Sequence, residues 1–140
     1  MIIRKTTINL PDFSLFGINQ KTCMNLEDLF IYNQSMAIAD RIWEIVMTWG
    51  SFAKFTLGKQ WVNSSDSIAQ NISEGFGRFH YRDAKNFYYY ARGSLMESHT
   101  ILSKAHNRKL ISDKDYFDLQ SEHKDLTVRL NNYIKTVGAN

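Results

Sequence analysis

No proline follows Pro11, and from Leu26 to Val137 apolar residues return at spacings of three and four almost without a break. A proline inside a helix would remove a backbone donor and collide with the preceding turn, so its absence leaves long helices uninterrupted. Spacings of three and four put side chains on one helix face, whereas a half-buried strand would alternate. Four such runs, separated by glycines or short polar segments, predict an all-α chain folded as an antiparallel up-down four-helix bundle.

The runs can be bounded. Asn25 is placed to cap the first helix, with Glu27 and Asp28 in a first turn whose dipole favours acidic groups, and the helix is expected to reach Trp49. Leu29, Tyr32, Met36, Ala39, Trp43 and Val46 form one seam on it, and Ile31, Ile38, Ile42, Ile45 and Trp49 form a second. One partner helix cannot cover both, which predicts one contact inside the subunit and another between subunits. Gly50 ends this helix. Thr56 reads as the cap of the next, which carries Leu57, Trp61, Ser65, Ile68 and Ile72 inward as far as Gly75. The third helix runs from Tyr81 to Arg108, with Ala84, Phe87, Ala91, Ser94, Ser98, Ile101 and Ala105 as its seam. Ser112, with Asp115 three residues on, opens the fourth, whose seam is Tyr116, Leu119, His123, Leu126, Leu130, Tyr133 and Val137. Residues 1–25 hold the single proline and a brief alternation, and read as an N-terminal extension or arm preceding a bundle domain over 26–140.

Two stretches stand out: Ser67 to Arg78, where a helix with a small polar stripe stops at Gly75 and Gly77, and Ala91 to Glu97. A hairpin folded near Arg78 brings Ser64 and Ser67 opposite Ala91 and Ser94, so that small residues meet small residues. Gly93 costs about 1 kcal/mol relative to alanine inside a helix, which leads to the expectation of close backbone approach there. Glu74 and Glu97 are acids in small or apolar surroundings. Glu74 is expected to pair with Arg78 or Arg82, and Asn71 to satisfy groups between helices. Ser67, Asn71, Glu74, Gly75, Gly93, Ser94 and Glu97 are therefore read as one structural motif.

Chemistry is mostly excluded. With one cysteine, Cys23, neither an internal disulfide framework nor a thiolate metal cluster can form, which fits a reducing cytoplasm. No stretch has the apolar length of a membrane span or the pattern of a signal peptide. His99 and His106 share a helix face but lie two turns apart, too far for one metal. The Glu-x-x-His signature of carboxylate-bridged metal bundles is missing, since Thr100 follows Glu97 and Gly77 follows Glu74 at that spacing. Ser98 and His99 are sequence neighbours, which gives poor geometry for a nucleophile and its base. Gly75-Phe76-Gly77 lacks the preceding strand and the lysine of a phosphate loop. No cofactor, metal or catalytic residue is expected, and the chain reads as a non-enzyme.

What remains is a basic and aromatic face. Arg78, Arg82, Lys85, Tyr89 and Arg92 step by four and three, opposed locally only by Asp83, among Phe79, Tyr81, Tyr88 and Tyr90. Cationic side chains neutralise phosphates and flat rings stack unpaired bases, so this face is the candidate nucleic-acid contact. Its solvated-surface reading needs no ligand. The net charge of +3 from 17 basic and 14 acidic residues permits an anionic partner without requiring one.

The paired motifs Ser67-Ile68-x-x-Asn71-Ile72-Ser73-Glu74-Gly75-x-Gly77-Arg78 and Ala91-x-Gly93-Ser94-Leu95-x-Glu97 resemble those of the 23S rRNA intervening-sequence proteins, also called the S23 or four-helix-bundle family. The resemblance covers roughly Leu26 to Val137. Ser73 stands where the family more often has alanine. The resemblance implies a bacterial four-helix bundle assembling as a ring-shaped homopentamer, which at +3 per chain would carry +15. Similar pentameric bundles serve diversity-generating retroelements, associating with a reverse transcriptase and nucleic acid. Two functions are thus in play. One is an oligomeric protein binding RNA or another nucleic acid through the basic face. The other is a protein-interaction scaffold with no nucleic-acid contact of its own.

Overall fold

The computed structural model describes residues 24–139; the expected N-terminal arm lies outside the described residues save for its last two. Four helices carry the fold: α1 (Phe30–Met47), α2 (Lys59–Phe76), α3 (Tyr81–Asn107) and α4 (Asp113–Thr136), with no strand among the described residues. α2 packs between α1 and α3, and α4 closes the bundle against α3 and α1.

The ends of α1 and α2 differ from the expectation. A 3-10 turn at Leu26–Asp28 precedes α1, and Leu29 between them is extended, at φ −82° and ψ 113°. Asn25 N–H donates to Asp28 Oδ2 at 3.1 Å, closing this turn on itself. The break lets Leu29 drop its side chain into the core at 5 % exposure. Thr56 does not cap α2. The helical path starts at Ser51–Ala53, capped by extended Gly50, and passes through a π-helical turn at Lys54–Gly58 before α2 proper. Thr56 Oγ1 instead donates back to the Phe52 carbonyl at 2.6 Å, the ordinary fate of a threonine inside a helix. The extra residue of a π turn resets the facing of the next helical turns, and here Leu57 and Trp61 are buried while a Cβ at Gly58 would lie 2.7 Å from Val46 Cγ1. At α4 the expected cap is present: Ser112 Oγ accepts from Asp115 N–H at 3.1 Å.

The doubled seam of α1 resolves into one buried face and one exposed stripe. Ile31, Ser35, Ile38, Ala39, Ile42 and Val46 are inside. Met36, Trp43 and Met47 point outward at 42 %, 54 % and 52 % exposure. Arg41 ties α1 to α4, reaching Asp115, Asp118 and Glu122 at 3.2, 3.3 and 3.4 Å. Lys114 and then Arg41 hold the Asp118 carboxyl below its ordinary range.

The hairpin of α2 and α3 closes through the Gly77–His80 turn, as the small-residue stripes predict. Ser67 Oγ meets Ser94 Oγ at 2.9 Å, and Asn71 Nδ2 donates to both the carbonyl and the hydroxyl of Ser67. Asn71 thus works within its own helix, positioning the hydroxyl that crosses to α3. Ser64 bonds the Trp61 carbonyl of its own turn. The glycine that permits close approach is Gly75, where a Cβ would sit 2.7 Å from Tyr88 Cε1 and 3.0 Å from the Ala84 carbonyl oxygen. Gly93 faces open space, with nothing of the chain within 4 Å of an added Cβ, so it is not a point of close approach between α2 and α3.

Candidate nucleic-acid interface

The basic stripe sits where α3 borders α4. Its anchor is visible in the Arg92 guanidinium, which donates from Nη1 to Asn131 Oδ1 on α4 at 3.1 Å and lies 4.9 Å from the Tyr89 ring centroid. Tyr89 remains 43 % exposed, so the stacked cation and ring form a semi-rigid surface rather than a freely moving charge. Arg82 is exposed and Lys85 half-buried on the same line. Among the described residues, Arg82, Lys85 and Arg92 form no ion pair with a carboxylate, which leaves their charge available to an anion. From Ala84 to Met96 no acidic residue interrupts α3.

Arg78 belongs to a different structure. It precedes α3, bonds Glu74 Oε2 at 3.2 Å, approaches Asp83 Oδ2 at 3.7 Å and lies over the Phe87 ring at 4.4 Å. Two carboxylates offset its charge, so it fastens the hairpin turn, and the candidate surface contracts to Arg82, Lys85, Tyr89 and Arg92. The expected Glu74–Arg78 pair forms, yet at the surface, with side chains 59 % and 41 % exposed; Arg82 does not share it. Glu97 is exposed and makes no ion pair among the described residues. Exposed pairs of this kind contribute at most about 1 kcal/mol.

A model of the family described as 23S rRNA-intervening sequence protein matches residues 27–132. The chain belongs to that family. The crystal structure, at 1.70 Å resolution, of a protein with unknown function from the S23 ribosomal protein family of Bacteroides thetaiotaomicron VPI-5482 superposes with a TM-score of 0.70 at 22 % identity, covering 76 % of this chain and 99 % of that one. At that identity the likeness shows the shared fold. No curated protein matches the chain. The basic stripe and both halves of the serine hairpin lie within the span matched by the 23S rRNA-intervening sequence protein model, whereas Tyr133 to Ala139 lie beyond it.

One polar constellation escapes a reading by sequence neighbours. Ser98 is paired with His123 on α4, Oγ to Nε2 at 2.9 Å, and not with His99 beside it. Trp61 Nε1–H donates to Ser98 Oγ at 3.1 Å, and His123 Nδ1–H donates to the Leu119 carbonyl at 2.7 Å. With Nδ1 protonated, Nε2 accepts the Ser98 hydroxyl proton, and every side-chain polar atom of this network is satisfied. Serine, imidazole and orienting acceptor match the arrangement of a nucleophile and its base. However, Ser98 and His123 are 0 % and 1 % exposed, so no substrate atom reaches them and the network joins α2, α3 and α4 through the core. Burial drives the His123 pKa down to about 4, and the nearby His99 ring adds to this. The only signal of this pairing in the sequence is a polar residue at matching places on two apolar seams. Among the described residues, no group of three or more His, Cys, Asp and Glu side chains could hold a metal, and no helix is long and apolar enough to cross a membrane.

Proposed function

We propose that this protein is a non-enzymatic, oligomeric helical bundle of the bacterial cytoplasm that binds RNA or another nucleic acid along the α3 stripe. The observation that carries the reading is the line of Arg82, Lys85 and Arg92, unpaired with carboxylates among the described residues and interleaved with the exposed ring of Tyr89. Such a surface meets phosphates by charge and bases by stacking, with little demand for sequence. Fluorescence anisotropy with a labelled single-stranded RNA tests it. Combined Arg82→Glu, Lys85→Glu and Arg92→Glu substitution is expected to weaken binding more than tenfold at low salt. Unchanged affinity would rule out the stripe, and absence of binding by the unaltered protein would leave the scaffold reading.

The assembly we propose is a homopentameric ring. Support comes from the outward apolar stripe of α1 together with Phe52 and Phe55, which stand 85 % and 72 % exposed at the entry to α2. Trp43, Met47, Phe55 and Val62 also border a surface cavity of about 400 Å³. Contiguous apolar surface of this kind on a folded chain marks an interaction site. Light scattering at micromolar concentration is expected to return five chain masses; a monomer would contradict the ring.

A further inference from the structure

A second surface feature lies at the end of the bundle where α2 turns into α3. Between that turn and the last residues of the chain opens a cleft of about 350 Å³, lined by Arg78, Tyr81, Tyr88, Tyr133, Thr136 and Gly138 among others. That volume falls in the range of small-ligand sites, about 300–1,000 Å³. The floor is aromatic: Tyr88 meets Tyr133 edge to face at 5.2 Å. Burial and the hydrogen bond with Tyr133 push the Tyr88 pKa up, so its hydroxyl stays neutral. Glycine closes one side, because Gly138, at φ +73°, carries the chain past Tyr81 where an added Cβ would lie 3.0 Å from Tyr81 Cβ.

Tyr81 lines the cleft, and its chain neighbours Phe79 and Arg82 add a second flat ring and a cation beside it in sequence. Tyr81 is 67 % exposed and Phe79 93 % exposed, an unusual cost for two large rings on one turn unless something covers them. Arg82 follows directly and has no carboxylate partner among the described residues. Among those residues no carboxylate lines the cleft, and the one cation that does, Arg78, is already held by Glu74 and Asp83. A neutral aromatic hollow with a free cation outside it fits a nucleobase inside and its phosphate outside.

We propose that this cleft takes one unpaired nucleotide of a single-stranded nucleic acid, its base stacked on Tyr81 over the Tyr88–Tyr133 floor, its phosphate on Arg82, and the neighbouring base on Phe79. The site rests on the nucleic-acid reading above and extends it from a stripe that follows the backbone to a pocket that requires an unpaired base. Five of its lining residues, Tyr133, Thr136, Val137, Gly138 and Ala139, lie beyond the span matched by the family model.

The test uses the full chain and short single strands of RNA and of DNA carrying one 5-iodinated pyrimidine, with a blunt duplex as reference. Irradiation is expected to crosslink the iodinated base of either strand to Tyr81 or Phe79, read by mass spectrometry of the peptides. Tyr81→Ala is expected to weaken single-strand binding about tenfold while leaving duplex binding unchanged, and Tyr81→Phe to retain it. Crosslinks that fall elsewhere, or a Tyr81→Ala loss shared equally by strand and duplex, would overturn the cleft. Should Tyr81→Ala fail to fold, the crosslink in the unaltered protein decides alone. Salt-sensitive binding with no crosslink at Tyr81 or Phe79 removes the cleft and keeps the stripe, whereas no binding of any strand removes both.

Discussion

Trp61→Ala is expected to lower the stability of the bundle by about 3–5 kcal/mol, the cost of emptying a fully buried large aromatic site. Trp61 is 0 % exposed, stacks on Trp49 at 5.8 Å between centroids and 24° between planes, and gives its indole N–H to Ser98. Its removal opens a cavity at the point where α2 faces the polar network shared with α3 and α4. Because single domains are stable by only about 5–15 kcal/mol, that loss is a large share of the total. Denaturant unfolding at fixed protein concentration measures it: the midpoint should fall sharply with the slope preserved. Trp61→Phe, which refills most of the volume but loses the N–H, should cost clearly less. Equal stability of Trp61→Ala and the unaltered protein would show that the core does not close around this residue.

Acid is expected to weaken the fold before the carboxylates titrate. His123 titrates near 4 in the folded chain against 6.5 in the unfolded one. Between those values the unfolded chain binds a proton that the folded chain excludes, so stability falls as pH drops from 6.5 towards 4 and is fully present above 6.5. A depression of that size corresponds to about 3 kcal/mol. Asp118 and Asp125, held below their ordinary range by neighbouring Lys114, Arg41, Arg129 and Gln34, contribute their losses at lower pH. Chemical denaturation across pH 4–8 checks the sign. His123→Gln, whose amide oxygen can accept from Ser98, should flatten the slope between 6.5 and 4; a slope that persists unchanged would assign it to other groups.

Much of this fold is legible in local spacing. The apolar periodicity marks all four helices, the serine stripes of α2 and α3 announce the Ser67–Ser94 contact, and Ser112 caps α4 as its motif requires. What is not legible depends on groups far apart in the chain. The π turn at Lys54–Gly58 has no local signature, since Thr56 looks like a cap until its hydroxyl has the Phe52 carbonyl to bond. Gly75 and Gly93 look equivalent in sequence, and only the Tyr88 ring against one and open space beside the other tell them apart. The basic face follows from helical spacing. The engagement of Arg78 by Asp83 and of Arg92 by Asn131 does not, because it needs the turn and the neighbouring helix in place.

Nucleic-acid binding along α3 is tested most directly by the salt dependence of RNA affinity. For single strands, each neutralised phosphate contributes about 0.7 to the slope of log K against log salt. Binding by the unaltered protein should be steeply salt-sensitive, with the slope reduced by about 2 when Arg82, Lys85 and Arg92 are all neutralised to glutamine. An affinity that does not change with salt, or a slope untouched by the triple substitution, would contradict binding through this stripe.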